Sequence, residues 1–408
     1  MKKLASLVAA LLLALSSLPS AEAAFVVGGE NGWQLSTDGI VDIFGHYRST
    51  SPAPAGHPLA LLGNDDQNFG VTVGLLPSVF GLNVKAPTVN GVDSSVRIGI
   101  YPSVQNKSQA SRLDVNPNID FRELFYTAKG KHGELLAGRA LNLYQGKNIL
   151  TDMTLLTVGV VPGTVGSTTL GHIGYGYLYT NFGPQFRYTT PDFGGVKVAL
   201  SVGEPYKISA DSAKTSVPRI ETEISYATVF GGGNTFQAWA SGLFQTDTRS
   251  TAAGTPRPGG HNKSLGGAAG VEAGFSGVDL LASGYAGEGL GMLSAQDGDL
   301  GTRGLTSVDN VGTERTQWGF LAQATYKLTP EIKIGANYGQ TRQEKTDNDK
   351  AVGAGTLKKK QEAAVAMVAY NFNKFTQFIA EYTYAQDTWH DGVTNHSNSI
   401  ALGTMFYW

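Results

Sequence analysis

Apolar and polar residues alternate with a period of two along most of the chain. Val96, Ile98 and Ile100 interleave with Arg97, Gly99 and Tyr101, and Ile220, Thr222, Ile224 and Tyr226 with Arg219, Glu221, Glu223 and Ser225. Trp318, Phe320, Ala322, Ala324 and Tyr326 interleave with Gln317, Gly319, Leu321, Gln323, Thr325 and Lys327. Ile332, Ile334, Ala336 and Tyr338 interleave with Lys333, Gly335, Asn337 and Gly339. Successive side chains of a strand point to opposite faces, so each set shares one face. The apolar set often ends in aromatics and the other carries charges and amides. Such a wall has lipid on one side and water on the other.

The segments between these runs alternate in length. Short ones lie at 87–93, 130–133, 191–195, 230–233, 276–279, 329–331 and 371–374. Long ones lie near 49–68, 102–117, 142–180, 203–217, 245–264, 287–312, 341–358 and 386–396, rich in Gly, Ser, Asp, Asn, Pro and Thr. Seven short turns and eight long loops require about sixteen strands, with fourteen and eighteen as neighbouring even counts. The pattern predicts an all-β, transmembrane antiparallel β-barrel with short turns on one rim and long loops on the other. Closure leaves no unpaired edge in lipid. The third long loop, 142–180, has no clear period, and an ordered loop of that length usually has a function. Its expected place is inside the barrel, narrowing it. Two places resist the pattern. The stretch 69–85 contains Pro77, which predicts a bulge or break. Glu123 falls on the parity of Phe121 and Phe125, where alternation gives no reason for a carboxylate.

The first residues read as a secretory leader over 1–23. Lys2 and Lys3 precede an apolar run over 4–15, and Ala21-Glu22-Ala23 is a small-residue cleavage site. That run is too short for a membrane helix and no later stretch approaches 18 apolar residues, so the barrel domain is expected over 24–408. The chain has 31 basic and 33 acidic residues, which gives no basic footprint for nucleic acid. It has no cysteine, which excludes disulfides and thiolate metal sites and suits an oxidising compartment. At the C-terminus, Ile400, Leu402, Thr404, Phe406 and Trp408 share one mostly apolar face, as a strand closing a barrel would.

Enzyme signatures are poor. His46, His57, His132, His172, His261, His390 and His396 form no i,i+4 pair and no His-Glu-x-x-His, so no metal site is expected. Asp297-Gly298-Asp299 could offer oxygens to calcium but reads first as a solvated loop. Gly231-Gly232-Gly233 is a tight turn, not a phosphate cradle, and no Gly-x-Ser-x-Gly elbow occurs. No cofactor is implied.

Several motifs resemble the trimeric sixteen-stranded porins of Gram-negative bacteria. Gly138-Arg139 resembles the end of the strand before that family's constriction loop, and Leu150-Thr151-Asp152-Met153 resembles the loop's acidic part. Arg187-Tyr188-Thr189-Thr190-Pro191-Asp192-Phe193-Gly194-Gly195-Val196 resembles the turn that follows, and the aromatic terminus fits as well. The resemblance implies a homotrimer in the outer membrane, a C-terminal strand read by the insertion machinery, and passage of small hydrophilic solutes and ions. It also implies that Asp152 on the loop faces a basic wall containing Arg139, with His172 where some members carry Arg. Lumen parity adds Arg97, Arg187, Lys197, Lys327 and Lys333, with Arg122 beside them, and the acids Glu221 and Glu223. The alternatives are a substrate-preferring channel for carboxylates or sugars, or a barrel enzyme or adhesin.

Overall fold

A computed structural model describes residues 25–57, 62–106, 119–163, 168–295 and 305–408. The leader and Asp297-Gly298-Asp299 lie outside the described residues. The strands are β1 (Phe25–Gly28), β2 (Gln34–Thr50), β3 (Gln67–Thr72), β4 (Val79–Lys85), β5 (Asp93–Pro102), β6 (Ile119–Gly130), β7 (Gly133–Leu141), β8 (Phe182–Thr189), β9 (Val196–Gly203) and β10 (Ser212–Lys214). They continue with β11 (Arg219–Phe230), β12 (Asn234–Arg249), β13 (His261–Phe275), β14 (Val278–Glu288), β15 (Thr316–Lys327), β16 (Ile332–Gln343), β17 (Lys358–Asn371), β18 (Thr376–Trp389) and β19 (Thr394–Tyr407). Neighbours in sequence pair as antiparallel ladders, and β19 pairs with β2 from Ser397↔Thr50 to Tyr407↔Ile40, which closes the ring. β3 and β4 both pair with β2 and together form one interrupted wall strand. β1 and β10 are short additions beside β2 and β12. The wall is therefore a closed sixteen-stranded barrel.

Alternation fixes which face is wet. On β16, Asn337 is buried inside the barrel, while Ile334 and Tyr338 are exposed on the outer surface. The same division holds on β11, where Glu221 is buried and Ile224 exposed. The expected irregularity near Pro77 is a break, since β3 ends at Thr72 and β4 starts at Val79. Glu123 has a local explanation. The β5–β6 ladder pairs Gly99 with Glu123 but Ile100 with Phe121, so Arg122 is an extra residue, a β-bulge. The bulge turns Glu123 inward, where it is buried, and leaves Phe121 and Leu124 both outside. The long connection expected over 386–396 is corrected. β18 and β19 run on as a paired ribbon to Thr388↔Thr394, leaving only a tight turn at 390–393. The polar residues there continue the two paired strands and do not form a long loop.

Closure has a side-chain component. Gly39 N–H donates to Trp408 O at 3.1 Å and Trp408 N–H to Gly39 O at 3.2 Å. The Trp408 indole lies over Gly39, where an added Cβ would stand 2.3 Å from the ring, and it neighbours Phe80 and Phe406. Gly39→Val should therefore displace Trp408 and destabilise the seam by about 1–3 kcal/mol, the usual range for overpacking. The check is the midpoint of denaturant unfolding of the refolded barrel, which should fall for Gly39→Val and not for Gly45→Ala, where an added Cβ meets only ordinary contacts.

Candidate functional site: the lumen and the loop that crosses it

The described chain between β7 and β8, 142–163 and 168–181, lies inside the barrel and is fastened to several of its strands. It starts at β11, where Leu143 N–H and Tyr144 N–H donate to Glu221 Oε2 at 2.7 and 3.0 Å. Gln145 then takes a left-handed conformation (φ 60°) and opens a short helix, α1 (Gly146–Thr151). Trp239 Nε1–H on β12 donates to Asn148 Oδ1 at 3.0 Å. On β15 the Gln323 amide clasps the end of the helix, donating to Thr151 O at 3.1 Å and accepting from Met153 N–H at 2.7 Å.

The next anchor uses the break in the wall. Leu75 N–H and Leu76 N–H, between β3 and β4, donate into the lumen to Thr157 O at 2.9 Å and Leu155 O at 3.1 Å. Backbone groups released by the break near Pro77 thus find partners on the loop, as buried backbone must. Gly159 N–H then donates to Glu381 Oε1 on β18 at 2.7 Å, and Arg48 on β2 donates to Pro162 O. Two limbs of the loop also pair with each other, through Val160 N–H to Gly171 O at 3.0 Å and Leu170 N–H to Val160 O at 2.9 Å.

Asp152 sits at the centre of this fastening. It caps a single helical turn, Met153–Leu156, accepting from Thr154 N–H at 2.9 Å and from the Thr154 hydroxyl. It also accepts from Tyr177 OH at 2.7 Å and Asn337 Nδ2–H at 3.0 Å. Asn337 Oδ1 is hydrogen-bonded to His172 Nε2 at 2.8 Å, and His172 Nδ1 to Tyr175 O at 3.1 Å. Tyr175 OH donates to Asp387 Oδ1 on β18 at 3.0 Å. The loop's two limbs and β16 are joined by one chain of polar contacts, with Asp152 at 3% exposure and His172 at 0%. The wall makes room with small residues. A Cβ on Gly339 would stand 2.4 Å from Tyr175 O, and one on Gly335 2.8 Å from Met153 Sδ. Apolar packing does the rest. Met153, Val158 and Val161 pack with Phe44, Val365, Met367 and Met405, and Ile149, Leu155, Ile173 and Tyr177 pack with Leu75, Trp239, Leu281 and Leu321.

The expected site residues are thus distributed in three ways. Asp152 and His172 are inside the loop's buried interface and carry no exposed charge to the lumen. Arg97, Arg122 and Arg187 are in the wall sector from β5 to β9. Arg97 is held by Asp38 at 2.8 and 3.0 Å, by Glu123 at 2.7 Å and by Asn83 Oδ1 at 3.0 Å. Arg122, at the bulge, donates to Asp120 at 2.7 Å and lies over the Tyr101 ring at 5.5 Å. Arg187 donates to Leu141 O at 3.3 Å, at the root of the loop. Arg139 is the third case. It pairs across the sheet with Leu124 and Pro184, on the outward parity, is exposed, and donates to Phe182 O at 2.7 Å. The structure does not bring Arg139 and Asp152 together, because the wall lies between them.

Asp152 is the sole acidic residue between 142 and 181. The side chains there that keep partial exposure include Lys147, Leu150, Leu156, Leu170 and Tyr179. Inside a barrel such exposure is to the lumen. Among its described residues the loop thus offers one amine and a mainly apolar surface, and the paired charges Arg97–Asp38, Arg97–Glu123 and Arg122–Asp120 belong to the wall. Periodicity put Asn337 on the inner face without a role and did not single out Asp38, Tyr175, Tyr177 or Glu381, all of them part of the loop's fastening or of the Arg97 cluster. The anomalous parity of Glu123 was the one signal that pointed to the Arg97 cluster.

A family model described as Gram-negative porin matches residues 5–390. No curated protein matches the chain. Among solved structures it is similar to the outer membrane channel DcaP of Acinetobacter baumannii, at 16% identity and a TM-score of 0.67, with 94% of this chain and 100% of that one covered. It is also similar to the anion-selective porin from Comamonas acidovorans, at 13% identity and a TM-score of 0.62, covering 92% and 100%. A third is the trimer form of OmpT, an outer membrane protein of Vibrio cholerae, at 13% identity and a TM-score of 0.55, covering 93% and 100%.

Asp152→Ala removes the acceptor of Thr154, Tyr177 and Asn337 together. Each buried donor left unpaired costs about 1–3 kcal/mol. The expected outcome is a loop that detaches while the wall survives, seen as new protease cleavage within 142–181 at an unchanged unfolding midpoint of the barrel.

Proposed function

The chain belongs to the Gram-negative porin family and forms an outer-membrane channel for small solutes, and from that premise we propose that it sorts solutes chiefly by size. One observation carries this reading: the loop that fills much of the lumen is pinned on many sides, and its single carboxylate is buried. Opposed charges across an open gap would need Asp152 exposed toward a bare basic wall. Arg97 and Arg122 already have carboxylate partners and Arg187 is turned to the carbonyl of Leu141, so the field Arg97 and Arg122 add to the pore is small. Charged rings select ions most strongly when the charges are bare and lie close to the permeant ion. Weak ion selectivity with a low conductance is the expectation.

A second reading has its own support. Leu150, Leu156, Leu170 and Tyr179 keep partial exposure on the loop, while Arg97 and Arg122 occupy the wall. Such a lumen favours a solute with an apolar body and a carboxylate, and sugars less. Saturable uptake of small organic acids, against linear uptake of neutral solutes of equal size, would favour this preference. Three copies per channel unit, and recognition of the β19 end by the insertion machinery, are part of the same proposal. The trimer form of a similar fold supports the first, and the aromatic face ending at Trp408 supports the second.

Reversal potentials in a salt gradient across a planar bilayer test the charge question. Arg97→Gln uncovers Asp38 and Glu123 and should shift selectivity toward cations, whereas Glu123→Gln should shift it toward anions. Asp152→Asn should shift it less than either, and Arg139→Gln not at all. A shift for Asp152→Asn larger than for Arg97→Gln would overturn sorting by size and restore the loop carboxylate as a filter.

A further inference from the structure

The strands that hold the loop continue past it, and their inward positions nearer the short-turn rim carry a separate set of polar groups. On β11 the loop hangs from Glu221, and the next inward position is Glu223. On β12 it hangs from Trp239, and the next is Gln237, which stands opposite Glu272 of β13 and donates to it. On β14, Leu281 packs with Ile149 and Leu155, and the next inward position is Asp279. On β16, Asn337 holds Asp152, and Lys333 follows two inward positions further on. All five side chains are half-buried inside the barrel. Three carboxylates, those of Glu223, Glu272 and Asp279, therefore line the lumen between the loop and the short turns.

The loop's one amine belongs to the same chamber. Lys147, in α1, is half-buried, and its charge acts on Glu223 and Glu272 alike. Among the described residues neither the Lys147 amine nor the Glu223 carboxylate has a hydrogen bond or an ion pair. Arg97 is the contrast, since it closes directly on Asp38 and Glu123. An ammonium has three donors and a carboxylate only acceptors. Where the two face a watery space without meeting, both keep capacity for a third group. A plain anion drawn to Lys147 is repelled by the acids, and a plain cation drawn to the acids is repelled by Lys147. A solute that carries both charges gains at each end, and charge-assisted hydrogen bonds are the strong ones.

We propose that this chamber is a binding station for small zwitterionic solutes, with the solute's carboxylate on Lys147 and its ammonium on Glu223 or Glu272. This names a solute class for the channel and rests on the channel reading. Charges of both signs in one chamber also leave little net preference between simple ions, in keeping with weak ion selectivity.

Ion current across a planar bilayer reads the station, because a solute held in the lumen blocks current. The probes are 4-aminobutyrate, butyrate and butylammonium, matched in chain length. The parent should show saturable block by 4-aminobutyrate at a concentration several-fold below that needed for the other two. Lys147→Gln should lose this preference and strengthen block by butylammonium, and Lys147→Arg should keep it. Glu223→Gln combined with Glu272→Gln should lose it and strengthen block by butyrate. None of these side chains fastens the loop, so open-channel current reports a folded barrel in each variant. Equal block by the three probes in the parent overturns the station and leaves the channel standing. A preference that survives Lys147→Gln overturns the role of the loop amine. If Arg97→Gln removes the preference and Lys147→Gln does not, the solute is held at the Arg97 cluster and the proposal falls. A parent that passes no current would sink the channel reading, and the station with it.

Discussion

Every backbone N–H and C=O at the level of the hydrocarbon must find a partner within the protein. The ladder from β2 round to β19 and back meets that demand, and the rest of the molecule follows from it. Sixteen strands fix a circumference, and a ring that wide encloses more space than its own side chains fill. That space admits chain as well as water, and the third long connection enters it. The same constraint explains the break between β3 and β4. A break in lipid would strand amides, but Leu75 and Leu76 face inward and meet carbonyls of the loop. Irregular backbone is tolerated at membrane depth where protein covers it. The break and the loop are thus one feature, each satisfying the other.

The loop's polar groups divide by the same logic. A buried carboxylate without a cation survives when donors surround it, and Asp152 has Thr154, Tyr177 and Asn337. Glu381 serves in the same way, accepting from Gly159 N–H, while Glu221, which is also paired with Arg219, accepts loop amides at the other side of the barrel. These acids are joints. Arg97 differs because its partners Asp38 and Glu123 are wall residues at the partly open sector. The polar groups that hold the loop are therefore separate from those left to face water. A loop held by several hydrogen bonds over an apolar base defines a bore of fixed size, which is the physical content of sorting by size.

Most of the wall was legible because alternation is an unbroken code while register is unbroken. Trp318 to Tyr326 and Ile332 to Tyr338 fall outside or inside as their parity requires. Three things were not legible, each for a physical reason. Parity cannot be counted through a bulge, so the extra residue Arg122 hid the inward turn of Glu123. In 134–141 both alternate sets mix apolar residues with one charge, Glu134 in one and Arg139 in the other. Local sequence does not choose between them, and the pairing of β7 with Phe186 and Tyr188 on β8 does. Burial of Asp152 depends on Tyr177 and Asn337, distant in sequence, and no spacing rule joins them. The strand break at Pro77 was readable, but not that the loop would use it.

Arg97 and Arg139 show how much depends on a single residue of register. Both are arginines in strands two apart on the same side of the barrel. One faces water and two carboxylates, the other faces outward among Leu124, Leu135 and Phe186. Sliding a strand by one position exchanges its faces, so the cost of a wrong register in lipid is a buried charge for each arginine so moved. That cost makes register well specified where the outer surface is lipid. It falls where the outer surface is protein that offers a partner. An outward arginine is therefore costly wherever lipid reaches it, and Arg139 reduces that cost only in part, by donating to Phe182 O at the loop end of its strand.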